Sequence, residues 1–279
     1  MLDVVLDALL DTLKLFPYLF ITFIVLEFIE HKLSHKNQEI LVKNKKYGPI
    51  VGGVLGALPQ CGFGTMAASL FSSKVITMGT LIAVFLSTSD EMLPIMISEQ
   101  ANVLTLLKIV GFKVSIGIII GTVVDLIFKR KEDAHEHISE MCDRDHCECE
   151  SEGIIISSMK HTLKIGFFIL AANLIIGLII FYVGEDKLSN LLLSKNIFTY
   201  FLASLIGLIP NCASSVIITE LYLSKIITIG TLMSGLLTGS GLGILLLFKT
   251  NKNLKENLKI LSIIYFVGVL IGIIVDLIL

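Results

Sequence analysis

An apolar run long enough to cross a lipid bilayer contains the stretch Gly56-Ala57-Leu58-Pro59-Gln60-Cys61-Gly62-Phe63-Gly64. Proline and glycine interrupt helices, and backbone groups that are freed from a helix find no water in lipid. The same pattern returns as Gly207-Leu208-Ile209-Pro210-Asn211-Cys212-Ala213-Ser214. A break that occurs twice in apolar surroundings predicts a transport site built from two related halves.

The composition is that of a membrane protein. Of the 279 residues, 54% are hydrophobic and 16% are charged, whereas soluble domains have about 25% charged residues. Several apolar runs exceed the roughly 18 residues that mark a candidate span, and they do not alternate as barrel strands do. The sequence therefore predicts an all-α polytopic membrane protein with about 8–10 helical segments. No basic patch suits nucleic acid.

The two halves of the chain match when they are shifted by 151 positions. Pro59 then falls on Pro210, and Cys61 falls on Cys212. Chance resemblance among apolar helices gives matches of Leu and Ile, not ordered matches of Pro, Cys, Lys and Asp. We therefore divide the chain into a first transmembrane repeat (1–128), a His/Cys-rich loop (129–157) and a second repeat (158–279).

The lysine distribution predicts that the two repeats are inverted. The loop 32–46 and the start of the central loop are rich in Lys and Arg, so both should be cytoplasmic. Three full crossings between them would put them on opposite sides. The conflict disappears if the broken segment of each repeat is a re-entrant helical hairpin. We expect a multi-pass protein of the bacterial cytoplasmic membrane, with both termini outside.

The paired breaks are the first candidate site, because a broken helix exposes carbonyls and amides that can bind an ion near the midplane. A plain alternative is that the cysteines are small apolar fillers and the prolines only kinks. The residues predicted here are Pro59, Gln60, Cys61, Pro210, Asn211 and Cys212.

Two adjacent carboxylates form the second candidate site. Each acid at a helix centre costs about 2.5–3.5 kcal/mol on insertion scales, so a cation or a proton should neutralise Asp90 and Glu91. The equivalent segment of the second half has no acid, and the alternative is that the pair lies at an aqueous end. With these acids we place on the ion path Ser87, Thr88, Ser89, Met92 and Ser240. The predicted metal ligands in the membrane are Asp90, Glu91, Gln60, Asn211 and Cys61.

Other charged residues have plainer expected roles. We expect Asp125 and Asp276, at matching span ends, to be solvated at the interface. Long side chains reach the headgroups from within a span, and this is the role expected of four lysines: Lys108, Lys113, Lys164 and Lys259.

The central loop is the third candidate site. Thiols and imidazoles together suit thiophilic ions such as Zn(II) and Cu(I), although the spacing is not that of a standard zinc finger. The alternative is a solvated acidic linker with incidental cysteines. The candidate ligands are His135, His137, Cys142, His146, Cys147 and Cys149.

With these motifs in hand, the chain resembles the bacterial family of ten-helix heavy-metal exporters, whose members are described as arsenic efflux proteins or as manganese transporters. The resemblance rests on residues 57–62 and 87–94 and on the Lys-Thr-type turns after each break. It implies ten helices, which agrees with the count above when each broken segment is scored as two. Carboxylate and amide oxygens favour Mn(II) or a similar divalent ion. An arsenical stays the second candidate, because neutral arsenite would not need two acids.

We therefore predict a secondary transporter that exports a divalent metal by alternating access and is coupled to protons. No phosphate-binding loop and no catalytic triad is present, so we expect neither an ATPase nor an enzyme. The expected partners are lipid and the transported ion, with no tightly bound cofactor, and a homodimer stays open. The alternatives of another class are a metal-sensing channel or scaffold and, ranked last, an enzyme with Cys61 as its nucleophile.

Overall fold

The computed structural model describes residues 6, 9–10, 12–13, 16–17, 20–21, 23–24, 47–58, 61–89, 92–128, 154–183 and 197–278. The helices that can be bounded within these ranges are α1 (Gly48–Gly56), α2 (Cys61–Ser72), α3 (Met78–Ser87), α4 (Met92–Ser98), α5 (Val103–Ile127), α6 (Ile154–Val183), α7 (Phe198–Gly207), α8 (Cys212–Leu223), α9 (Ile229–Thr238), α10 (Leu242–Thr250) and α11 (Leu254–Ile278). The start of α6 lies three residues before the end that the sequence predicts for the central loop.

The helix bounds follow the sequence repeat. Three helix pairs lie 151 residues apart at both ends, namely α2 with α8, α3 with α9, and α5 with α11. The pairs α1 with α7 and α4 with α10 differ from this offset by one residue at one or both ends. The two halves therefore use the same succession of short and long helices.

Four helical stretches in the described residues are long and apolar enough to cross a membrane: Met78–Ser98, Val103–Ile127, Ile229–Thr250 and Leu254–Ile278. Two of them are α5 and α11, and each of the others combines two short helices, α3 with α4 and α9 with α10. The interrupted spans are 75% and 83% buried, whereas α5 and α11 are 17% and 33% buried. The interrupted helices thus form the centre of the protein and the continuous ones lie around them. This confirms the class of polytopic α-helical membrane protein.

The interruptions lie where the sequence predicts them, and they are short. α1 ends at Gly56 and α2 begins at Cys61, while α7 ends at Gly207 and α8 begins at Cys212. In the next segment the helix stops after Ser87 and resumes at Met92. Pro94 belongs to the first turn of α4, where a proline costs no helical hydrogen bond.

The same turn ends α2 and α8. Lys74 and Lys225 adopt left-handed conformations, with φ of 57° and 59°. The amide after each lysine reaches back to the helix, from Val75 to the Leu70 carbonyl and from Ile226 to the Leu221 carbonyl, both at 2.9 Å. This is the Schellman arrangement that closes helix C-termini. It directs the chain from each short helix into the following span.

Glycines let the interrupted spans touch the continuous ones at backbone distance. A Cβ built on Gly79 of α3 would lie 2.0 Å from the Gly121 carbonyl oxygen of α5. The equivalent pair in the second half is Gly230 with Gly272, where the corresponding distance is 2.3 Å. Small residues at helix interfaces are typical of packing in membranes, where close van der Waals contact replaces the hydrophobic drive.

Asp125 and Asp276 act as helix caps, so the expectation that they are merely solvated is wrong. Asp125 accepts hydrogen bonds from the Gly79 amide at 2.7 Å and from the Thr77 hydroxyl at 2.6 Å. Asp276 accepts from the Gly230 amide at 2.8 Å, from the Thr228 hydroxyl and from the Tyr200 hydroxyl at 2.8 Å. A carboxylate at a helix N-terminus satisfies free amides and complements the helix dipole. Each long helix thus anchors the start of the interrupted span beside it.

Asp125→Ala should lower the thermal stability of the detergent-solubilised protein. The change leaves the Gly79 amide and the Thr77 hydroxyl without their acceptor, and an unsatisfied buried donor costs about 1–3 kcal/mol. Asp125→Asn keeps one acceptor and the side-chain shape, so it should fall between Asp125→Ala and the wild type. Equal melting temperatures for all three proteins would restore the view of Asp125 as a solvated residue.

Candidate ion-binding pocket

A pocket between the two halves brings together several of the predicted site residues. Its unfilled volume is about 300 Å³ when the solvent space at its open side is included. The first half contributes Thr88, Ser89 and Met92, and the second half contributes Asn211, Ser214, Ser215, Leu236, Gly239 and Gly241. The pocket therefore lies where three helix interruptions meet, at the ends of α3 and α9 and at the start of α8.

Thr88 and Ser89 form the wall from the first half. α3 ends at Ser87, and the backbone turns away at Thr88 with ψ of 129°. The Thr88 hydroxyl donates to the Val84 carbonyl at 2.7 Å, and the Ser89 hydroxyl donates to the Ser87 carbonyl at 3.1 Å. Because the single proton of each hydroxyl is directed into the backbone, its oxygen is left as an acceptor. Buried hydroxyl oxygens of this kind can bind a cation.

Asn211 forms part of the opposite wall as the N-cap of α8. Its Oδ1 accepts a hydrogen bond from the Ala213 amide at 2.8 Å. The Ser214 hydroxyl in turn donates to the Asn211 backbone carbonyl at 2.9 Å. The amide oxygen of Asn211, predicted as a metal ligand, is thus engaged in capping and retains one lone pair.

Glycines shape the remaining wall after α9. Gly239 is the C-cap of α9, and Gly241, at φ 51° and ψ −140°, precedes α10. A residue with a Cβ is strained in that conformation, whereas glycine adopts it freely. Ser240 lies between them and is 2% exposed, and its hydroxyl donates to the Thr238 carbonyl at 3.4 Å. The predicted Ser240 therefore adjoins the pocket without lining it.

Lys113 is a functional candidate that the sequence reasoning missed. It lies in the middle of α5 and is 1% exposed, so the expectation that it snorkels to the interface is wrong. Its ammonium donates to the carbonyl oxygen of Leu236 at 2.8 Å and to that of Thr88. Both acceptors belong to residues that line the pocket. The signal in the sequence was its position far from either end of an apolar span, where ionisable residues are costly and mark functional sites.

The other predicted residues divide into three groups. Ser87 faces α1, because a Cβ on Gly56 would lie 2.3 Å from its oxygen, and its hydroxyl donates to the Ala83 carbonyl at 2.7 Å. Pro210 lies in the interruption before α8, and Cys61 and Cys212 begin α2 and α8. The positions outside the described residues are Pro59, Gln60, Asp90, Glu91, His135, His137, Cys142, His146, Cys147 and Cys149.

Within the described part of the chain, no three or more His, Cys, Asp or Glu side chains come together as a ready metal cluster. The donors that line the pocket are instead hydroxyls, an amide and the ends of helices, with the thioether of Met92 as a single soft group among them. Hydroxyl and carbonyl oxygens are hard ligands that suit Mg²⁺, Ca²⁺ and Mn²⁺ better than soft ions.

A family model described as "Putative, 10TM heavy-metal exporter" matches the chain in two overlapping segments, residues 1–185 and 150–279. The chain belongs to this family. The match covers both halves and the central loop, so it confirms the resemblance seen in the sequence. No curated protein and no solved structure matches the chain.

Proposed function

We propose that this family member is a secondary transporter that exports a divalent transition metal, Mn(II) or an ion of similar hardness, across the bacterial cytoplasmic membrane. One observation carries the proposal: the pocket is built at helix interruptions from both halves, next to the two spans of the described residues that are mostly buried. Secondary transporters place their substrate sites at such interruptions, near the midplane and between repeats.

The contacts within the first half support a re-entrant hairpin. α1 runs in the same direction as α3, since Gly48 lies against Thr80 and Gly56 lies against Ser87. α2 runs the opposite way, because its end joins the start of α3 through the turn at Lys74 while Gly64, near its own start, approaches Phe85. α1 and α2 therefore oppose each other, and the interruption between them is the tip of the hairpin that we propose.

The contacts between the halves support an inverted arrangement. α2 and α10 run in the same direction, since Gly243 lies against Gly64 near their starts and the hydroxyls of Ser72 and Thr250 are 2.5 Å apart at their ends. Because α2 opposes α3, the span of α9 and α10 opposes that of α3 and α4. Inverted repeats of this kind allow one half to rock against the other and expose the site on alternate sides.

The two long helices of the repeats agree with this inversion. The Lys259 ammonium, near the start of α11, lies 3.3 Å from the centroid of the Phe128 ring, at the end of α5. The end of one long helix therefore adjoins the start of the other, as oppositely directed helices require. Lys259, which was expected to snorkel, makes a cation–π contact there.

Metal flux into proteoliposomes tests the proposed function. With purified protein we expect Mn(II) to accumulate faster than in protein-free liposomes, with Cd(II), Co(II) and Zn(II) as competitors of graded strength and arsenite without effect. An imposed proton gradient should drive the flux, and a protonophore should abolish the gradient-driven part. Arsenite transport without Mn(II) transport would make the protein an arsenical permease, and the absence of any flux would favour a scaffold or sensor.

A further inference from the structure

Lys113 joins the two halves of the protein through a single buried ammonium group. The residue belongs to α5 of the first half, and the two carbonyls that it meets belong to Thr88 of the first half and Leu236 of the second. The equivalent position in the second half is Ile264, which is fully buried. One cation therefore serves both halves, and the pocket is asymmetric in its charge as well as in its lining.

The two carbonyls belong to helix ends, where cations bind. Thr88 is the C-cap of α3, and Leu236 is in the last turn of α9, which ends at Thr238. The last four carbonyls of a helix have no partner within it, and they carry the negative end of the helix dipole. In transporters with interrupted helices, these ends are the groups that coordinate small inorganic cations.

We propose that the Lys113 ammonium is a tethered cation that occupies such a site in place of a second inorganic ion, and that it leaves these carbonyls as the substrate cation is bound. The proposal rests on cation transport by this pocket. While the pocket is empty, the ammonium satisfies the ends of α3 and α9 and holds the two halves together. A divalent ion beside Thr88 repels the ammonium, so binding of the substrate weakens the contact between the halves.

Chemical rescue of Lys113→Ala tests this proposal in the full-length protein. The variant removes the propylammonium part of the side chain and leaves a vacant site of the same shape. We expect it to melt at a lower temperature than the wild type in detergent, and propylammonium or sodium chloride should raise that temperature relative to choline chloride. Lys113→Met fills the space without the charge, so the same salts should not stabilise it. Lys108→Ala is the matched control, since Lys108 is an exposed lysine of the same helix.

The flux assay gives the second measurement. Metal transport by Lys113→Ala should fall by about tenfold or more, because a hydrogen bond to a charged group contributes more than the 1.4 kcal/mol that equals a factor of ten. The cations that stabilise the variant should restore part of this loss. A Lys113→Ala protein with the stability and flux of the wild type, or one that propylammonium and sodium do not affect, would overturn the proposal. If the wild type transported no metal, the proposed function would fail, while the melting experiment would still decide whether the site binds a cation.

Discussion

Gly121→Ala should yield little folded protein, whereas Gly111→Ala on the same helix should fold like the wild type. A Cβ at position 121 would lie 2.4 Å from the Gly79 carbonyl oxygen and 2.9 Å from the Ala83 Cβ. The first contact is with backbone, which cannot move aside as a flexible side chain can. Overpacking lowers the free energy of unfolding by about 1–3 kcal/mol where side chains can adjust. Because the backbone cannot adjust here, we expect Gly121→Ala to lower it by at least about 3 kcal/mol.

Gly111→Ala is a matched control, because it is the same substitution on the same helix and a Cβ at Gly111 would meet no atom within 4 Å. Alanine also has a higher helix propensity than glycine, by about 1 kcal/mol, so Gly111→Ala should leave the stability unchanged or increase it slightly. Expression in membranes, the monodisperse fraction on gel filtration and the melting temperature measure the difference. If Gly121→Ala matched Gly111→Ala in all three, the backbone contact between α3 and α5 would be wrong.

Asp90→Asn should reduce metal transport by about 100-fold or more, since changing even the groups that support metal ligands typically costs 10–100-fold. Asp90 follows directly after Ser89, which lines the pocket. An amide keeps the size of the side chain but carries neither the charge that attracts a divalent ion nor the proton that the proposed coupling requires. The loss should therefore appear in transport and not in folding.

Glu99→Gln is the matched control for this loss of charge. Glu99 follows α4 and is exposed, so its neutralisation should leave transport within about twofold of the wild type, as is usual for surface substitutions. Growth at toxic Mn(II) concentrations, intracellular metal content and proteoliposome flux measure both variants. Full resistance in cells that express Asp90→Asn would remove Asp90 from the proposed site.

The sequence was most informative where it repeats itself. Proline and glycine interrupt helices through local backbone chemistry, so the interruptions next to Gly56 and Gly207 could be placed without a structure. The shift between the halves also predicted that equivalent helices share their ends. Thr88 and Asn211 were both predicted on the ion path, and both line one pocket, although the sequence alone did not predict that they lie close together.

The charged residues within spans were misjudged, because their roles depend on partners far away in the chain. Lys113 reaches a carbonyl 123 residues further on, and Asp125 caps a helix by accepting from an amide 46 residues before it. The residue type alone does not tell whether a lysine side chain extends to the headgroups or turns inward. Depth within the span distinguishes Lys113 from Lys108, but only packing shows which groups it finds there.

The reciprocal packing of short helices has a consequence for how such a chain arose. α2 of the first half packs on α10 of the second, and α8 of the second half packs on α4 of the first. Each half therefore packs one of its short helices against the other half through an equivalent pair of surfaces, as the two subunits of a symmetric dimer do. In the inverted arrangement that we propose, a chain of half this length would need a second copy of itself to cover the same surfaces. Lys113 and its equivalent Ile264 show what a single chain with two halves allows, since a dimer of identical chains would carry the lysine twice.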